Sequence, residues 1–136
     1  MHQVPDDIRK DVGRGGEDIA CQFLARKGYK VIERNYRRKW GEIDIIAEKD
    51  GTVRFVEVKA VSRENIPVNG SREIDYRPEE LVHKSKLRKV ARTAALYMEE
   101  KRDEREFQID VVGVILDTSA RIARCRLFEQ ALEENL

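Results

Sequence analysis

Asp44, Glu57 and Lys59 are the residues of this chain whose types and spacing could do chemistry. They sit inside two otherwise apolar runs, EIDIIAE over 42–48 and TVRFVEVKAV over 52–61. A charge in a buried strand costs on the order of several kcal/mol unless it is paired or coordinates a metal. Their presence in such runs therefore needs a physical reason.

The runs are joined by Lys49-Asp50-Gly51, and Asp-Gly between alternating apolar segments predicts a two-residue hairpin turn. The register follows: Lys49 faces Thr52, Glu48 faces Val53, Ile45 faces Val56 and Ile43 faces Val58. The same register places Asp44 opposite Glu57 and Glu42 opposite Lys59. Opposed side chains share a face with Cβ atoms about 4.5–5.5 Å apart, and a one-residue slip would turn the whole set over. Two carboxylates so placed repel unless something cationic lies between them. Lys59 could be that cation in a purely structural charge cluster. The other answer is a hard divalent ion, because Mg²⁺ is held by one or two carboxylates together with waters and phosphates. A pair of acids acting on sugars needs a wider separation, roughly 5–9.5 Å, than this register suggests.

The surrounding elements must position these groups. Gly15-Gly16 precede a helical pattern of Ile19, Ala20, Phe23 and Leu24, with Gly28 as its stop. Residues 29–35 form a short strand candidate and 37–41 a basic turn. Residues 62–78, with Pro67, Gly70 and Pro78, predict a long loop, which is usually functional or disordered. A helix is expected over 79–101, with Leu87, Val90, Ala91, Ala94 and Met98 as its apolar stripe and Glu79-Glu80 at its positive end. Residues 107–116 read as a strand buried on both faces, and 120–128 as a strand nearer an edge.

With 136 residues the chain suits one core. Residues 1–12 are expected to be a flexible tail and 13–136 a single α/β domain. The N-terminus lacks the apolar core of a signal peptide, and no run approaches the roughly 20 apolar residues of a membrane span. Cys21 and Cys125 lack metal-ligand spacing and read as reduced core residues, so a cytoplasmic location without membrane contact is expected. The net charge is only +1, yet its distribution is uneven. Basic residues gather over 26–39 and 83–92, and acids over 99–106 and 129–134. That segregation suits either a solvated surface or one basic face.

The segments Gly41-Glu-Ile-Asp-Ile-Ile-Ala47 and Phe55-Val-Glu-Val-Lys59 resemble the D…ExK signature of PD-(D/E)xK, or restriction-endonuclease-like, nucleases. With GRGGEDIA over 13–20, Gly28-Tyr29, Asn35 and IDVV over 109–112, the chain is similar to the small bacterial YraN family of predicted endonucleases. It also resembles archaeal Holliday-junction resolvases. The likeness covers most of 13–116 and departs after Lys59, where Ala60-Val61-Ser62-Arg63 replaces the family's T-R step.

The resemblance implies a restriction-endonuclease-like α/β fold, a central mixed β-sheet flanked by helices. It implies Asp44 and Glu57 as metal-binding acids for Mg²⁺ or Mn²⁺, Lys59 as the lysine of ExK, and Glu17 as a helical glutamate completing the metal shell. Read from its position alone, Glu17 is equally an acid favoured by a helix dipole. The implied activity is metal-dependent hydrolysis of DNA phosphodiester bonds, leaving a 5′-phosphate, with preference for branched or junction DNA in repair or recombination. Arg34, Arg37, Arg38, Lys39, Lys84, Lys86, Arg88 and Arg92 are the candidates for backbone contacts, which fix position without reading sequence. A homodimer addressing both strands follows by analogy alone. The alternative is a nuclease-fold module that binds nucleic acid, or assembles, with little or no cleavage. Asp110, among apolar neighbours, is expected to be a hydrogen-bonded structural acid. Glu42 is expected to pair with Lys59, His83 to be a surface or phosphate-contacting residue, and Tyr36 and Trp40 to pack at the base of a loop.

Overall fold

The structure, a computed structural model, describes residues 6–63, 82–117, 119 and 121–132. Of the loop expected over 62–78, Ser62 and Arg63 belong instead to the end of a strand, and residues 64–78, like the acids Glu79 and Glu80, lie outside the described residues. In chain order the elements are α1 (Asp6–Arg26), β1 (Lys30–Arg38), β2 (Gly41–Lys49), β3 (Thr52–Arg63), α2 (Lys84–Glu100), β4 (Phe107–Asp117) and β5 (Ile122–Phe128). The strands form one five-stranded sheet in that order. β3 and β4 run parallel, and the other neighbours are antiparallel. The result is an α/β fold, a mixed sheet flanked by two helices, consistent with a restriction-endonuclease-like architecture.

Each helix buries one stripe on its own face of the sheet. Ala20 and Leu24 of α1 pack with Ile45, Ala47, Val56, Val112 and Val114. Leu87, Val90, Ala94, Tyr97 and Met98 of α2 pack with Ile43, Ile46, Val53, Phe55 and Val111 on the other face. Fully burying an aliphatic side chain of this kind contributes about 1.5–3 kcal/mol, which is why the central strands read as almost continuous apolar runs. No described helix is long and apolar enough to cross a membrane.

α1 ends as its sequence dictates. Gly28 takes φ +89°, its N–H donates to the Ala25 carbonyl, and the Tyr29 N–H donates to the Leu24 carbonyl. This paired pattern closes a helix through a left-handed residue, with Tyr29 and Leu24 packed in one cluster beside it. The helix begins earlier than its apolar pattern suggests, at Asp6 rather than near Gly15. α2 begins later, at Lys84, because His83 is extended at φ −60° and ψ 145°. Its first turn carries no acid, and His83 makes no side-chain cap.

The β2–β3 hairpin closes through Asp50 and Gly51 at φ +50° and +77°, as a two-residue turn of this hand requires. Lys49 pairs with Thr52, Glu48 with Val53 and Ile45 with Val56, the expected register. There the ladder stops. Ile43 and Val58 do not pair and do not share a face. Ile43 packs under α2, whereas Val58 packs under α1. The reason is a reversal of both β1 and β2. Arg34 reaches Asp18 of α1 while Tyr36, two residues on, is buried under α2. Ile45 and Ile43 divide the same way. Between them Asn35 takes φ +53°, a conformation asparagine tolerates better than most residues, and Asp44, opposite it between Ile45 and Ile43, is where β2 changes face.

Candidate metal and nucleic-acid site

Three elements meet where β2 leaves β3. The turn at Asp44 sends its carboxylate into the fork between the strands, where Oδ2 accepts a hydrogen bond from the Val58 backbone N–H at 2.9 Å. The side chain thus takes the ladder position that β2 backbone has vacated. Glu57, next to Val58, is 13% exposed, and its Oε1 lies 3.9 Å from Lys86 Nζ of α2. Glu17 enters from α1, held close by Gly16, where an added Cβ would fall on the Ala60 side chain of β3. Lys59 is exposed.

A cleft of about 820 Å³ opens at this fork. Its walls are Glu17 and Asp18, residues 34–37 of β1, residues 42–44 of β2 and residues 58–60 of β3. Glu17, Asp44 and Lys59 therefore share one cleft. Glu57 is not in that wall. It lies against α2 instead, but still interacts with Asp44. Among the described residues, no three His, Cys, Asp or Glu side chains form a group that could hold a metal.

The electrostatics couple the acids. Glu57 is raised from 4.5 to about 7, first by burial and then by the Asp44 charge, with Lys86 opposing. Asp44 is also raised, mainly by burial, against the hydrogen bond from Val58 N–H. Because that N–H favours the ionised form, the shared proton belongs on Glu57. Glu17 is raised by burial and then by Asp44, so its charge too is felt at the fork.

The basic candidates divide. Arg34 lines the main cleft and is bound to Asp18 at 2.8 Å. Arg37 lines it too, and its Nε lies 3.9 Å from Glu42, which therefore pairs with Arg37 and not with Lys59. Arg38 stacks over the Tyr36 ring at 4.4 Å and pairs with Glu100 at 3.2 Å. Arg37, Arg38, Lys39 and Lys86 meet at a smaller cleft together with Lys89 and Trp40. Lys84, Arg88 and Arg92 point elsewhere around α2, since four-residue steps put them on one flank and Lys86 and Lys89 on another. Lys89 is new to the set of candidate contacts, and its three-residue spacing from Lys86 is the signal that places it there. His83 is exposed.

Two expectations for nearby residues hold in part or whole. Tyr36 is a core residue at 1% exposure, but Trp40 is 45% exposed and not packed away. Asp110 is fully buried in β4. It accepts from Tyr29 Oη at 2.7 Å, Gln108 Nε2 at 2.8 Å and the Gln130 N–H at 3.0 Å, with Arg54 at 3.6 Å. It is a structural acid. Cys21 and Cys125 are both free and pack at the edge of the α1-side cluster.

Residues 16–114 match the family described as "Uncharacterised protein family UPF0102". The chain belongs to the UPF0102 family, also called YraN. Relatives that carry the UPF0102 name show how even the similarity is. A UPF0102 protein of Persephonella marina is 40% identical over 105 residues, covering 76% of this chain and 82% of its own. One of Campylobacter hominis is 38% identical over 102 residues, with 75% and 81% covered. One of Thermotoga maritima is 41% identical over 98 residues, with 72% and 81% covered. The UPF0102 match takes in Glu17, Asp44, Glu57 and Lys59, and its name assigns them no role.

Proposed function

We propose that this chain is a metal-dependent endonuclease that hydrolyses DNA phosphodiester bonds, with branched or junction DNA as its substrates in repair or recombination. The observation that carries the reading is the largely buried Asp44–Glu57 pair at a strand fork, beside Lys59 and Glu17. Two such carboxylates, both raised mainly by burial and with the Asp44 charge raising Glu57 further, with Lys86 near one of them at 3.9 Å, are a donor set short of positive charge. Hard oxygen donors in that number suit Mg²⁺ or Mn²⁺. Asp44 and Glu57 would hold the ion and Glu17 would approach it through water, and the ion would supply charge to the scissile phosphate and acidify bound water.

The chain's own residues do the rest. Val58 N–H fixes the Asp44 carboxylate, so one donor is preorganised by backbone. Lys59 stabilises negative charge that develops on the phosphate oxygens. Arg34 and Arg37, in the wall of the same cleft, position the DNA backbone without reading bases. The test is incubation with linear, flapped, single-stranded and four-way-junction DNA in Mn²⁺, Mg²⁺ or EDTA, beside Lys59→Ala. Metal-dependent cleavage that falls roughly 10²–10³-fold in Lys59→Ala, the scale of losing one transition-state donor, is expected. Absence of such cleavage on every substrate overturns the reading.

A second reading, a module that binds nucleic acid or assembles without cutting it, draws on the Lys86–Glu57 contact and on the lack of a three-acid group among the described residues. It predicts tight DNA binding that is indifferent to divalent ions and to Glu57→Gln.

A further inference from the structure

The smaller cleft lies between the β1–β2 turn and α2 and has a volume of about 350 Å³, within the roughly 300–1,000 Å³ of small-ligand sites. At its mouth Trp40, the one tryptophan of the chain, leaves 45% of its surface in water. Arg37, Arg38, Lys39, Lys86 and Lys89 surround it. Two of these cations have carboxylate partners outside α2's first turns, Arg37 with Glu42 and Arg38 with Glu100, and Lys86 leans toward Glu57. Lys39 and Lys89 are exposed and enter none of the described ion pairs.

An aromatic face among cations is the combination that holds unpaired nucleotides, because the ring stacks on a base while ammonium and guanidinium groups take the phosphates. A base in a duplex is already stacked on both faces, so only an unpaired one can offer its face to Trp40. Arg37 and Glu42 line this cleft and the main one alike. A strand seated on Trp40 is therefore led directly to the fork at Asp44. We infer that the Trp40 cleft binds an unpaired nucleotide of single-stranded DNA, and that the substrate class carries a single-stranded segment next to the cleavage point. This deepens the nuclease reading and rests on it for the second half of the statement.

The test uses binding alone, in EDTA, where no cleavage occurs. Because Trp40 is the sole tryptophan, its fluorescence reports the site directly. Oligo-dT of about twelve nucleotides is expected to quench it saturably, whereas a blunt duplex at equal phosphate leaves it unchanged. Fluorescein-labelled oligo-dT, followed by anisotropy, should bind Trp40→Phe within about threefold of wild type but Trp40→Ala roughly 5–150-fold more weakly. Lys39→Ala/Lys89→Ala should flatten the log–log salt dependence, by about 0.7 for each phosphate the protein no longer neutralises. Circular dichroism confirms that each variant is folded. Oligo-dT that does not bind, binds without quenching, or binds Trp40→Ala as tightly as Trp40→Phe overturns the inference. Quenching with no cleavage of any DNA leaves the cleft standing and removes the nuclease. Cleavage without quenching does the reverse.

Discussion

Asp44 and Val58 are joined across the β2–β3 fork by a side-chain hydrogen bond, Oδ2 to backbone N–H at 2.9 Å, one step beyond the last strand pair, Ile45 with Val56. One carboxylate thus completes the sheet locally and carries the charge that perturbs Glu57.

The two duties separate by mutation. Asp44→Asn keeps an acceptor for Val58 N–H and removes the charge, so metal-free stability should be unchanged or rise. Asp44→Ala leaves a partly buried N–H unpaired and should cost about 1–3 kcal/mol. Urea unfolding in EDTA distinguishes them, and equal losses would contradict the hydrogen bond's role.

The contribution of Glu57 to metal-free stability should fall as pH rises. Glu57 has an ordinary value of 4.5 that folding raises to about 7, so the folded state holds the proton more tightly than the unfolded chain. Its contribution is fully present below about pH 4.5 and is lost as pH climbs through about 7, an effect on the order of a few kcal/mol. Wild type minus Glu57→Gln isolates it, since other carboxylates titrate in both proteins. Thermal melts in EDTA at about pH 5 and pH 8 should show that difference shrinking or reversing toward the alkaline side.

Millimolar Mg²⁺ or Mn²⁺ should raise the melting temperature, and more at alkaline than at acidic pH, because protons compete for the same oxygens. Glu57→Gln should abolish most of that shift. A metal shift that is equal in the variant places the ion elsewhere.

The approach of α1 to β3 is a separate lever. Gly16→Ala would drive a methyl into Ala60 and should cost about 1–3 kcal/mol by overpacking. Ala60→Gly in the same chain should restore much of it, and the coupling from a double-mutant cycle measures the contact. The displacement also moves Glu17, so any cleavage should weaken in the single variant and recover in the double.

Asp110 should behave as structure. Asp110→Ala strands Arg54, 7% exposed, beside Tyr29 and should cost on the order of 3 kcal/mol, moderated by the remaining Glu129 partner at 2.9 Å. Below its melting temperature the variant should keep, per folded molecule, any cleavage that the wild type shows. A selective loss of rate would move Asp110 into the chemistry.

The sequence readily yields features that depend on strict local periods. Asp50-Gly51 and the two-residue alternation predict the pairs from Lys49–Thr52 to Ile45–Val56, and those pairs form. Gly28 after Leu24 predicts the end of α1. The extrapolation fails beyond Ile45, because alternation assumes an unbroken pleat and Asn35 and Asp44 break it together. Ile43 changes face as a result, and Asp44 meets Glu57 at a fork and not across a ladder. Asn35 itself is the available signal, as a residue type suited to positive φ. The basic residues fare similarly. Their abundance is plain, but only the helical angle of α2 separates Lys86 and Lys89 from Arg88 and Arg92.

The early end of the β2–β3 ladder has one more consequence. β3 continues beside β4 as far as Arg63 opposite Asp117, yet past Val56 its other side has no β2 partner among the described residues. A bare strand margin invites another polypeptide to add itself, the usual start of misassembly. Here the first exposed N–H is already occupied by Asp44, and Lys59 follows directly with a charge that an incoming strand would have to bury. The groups best placed for chemistry also guard the chain against sticking to its neighbours.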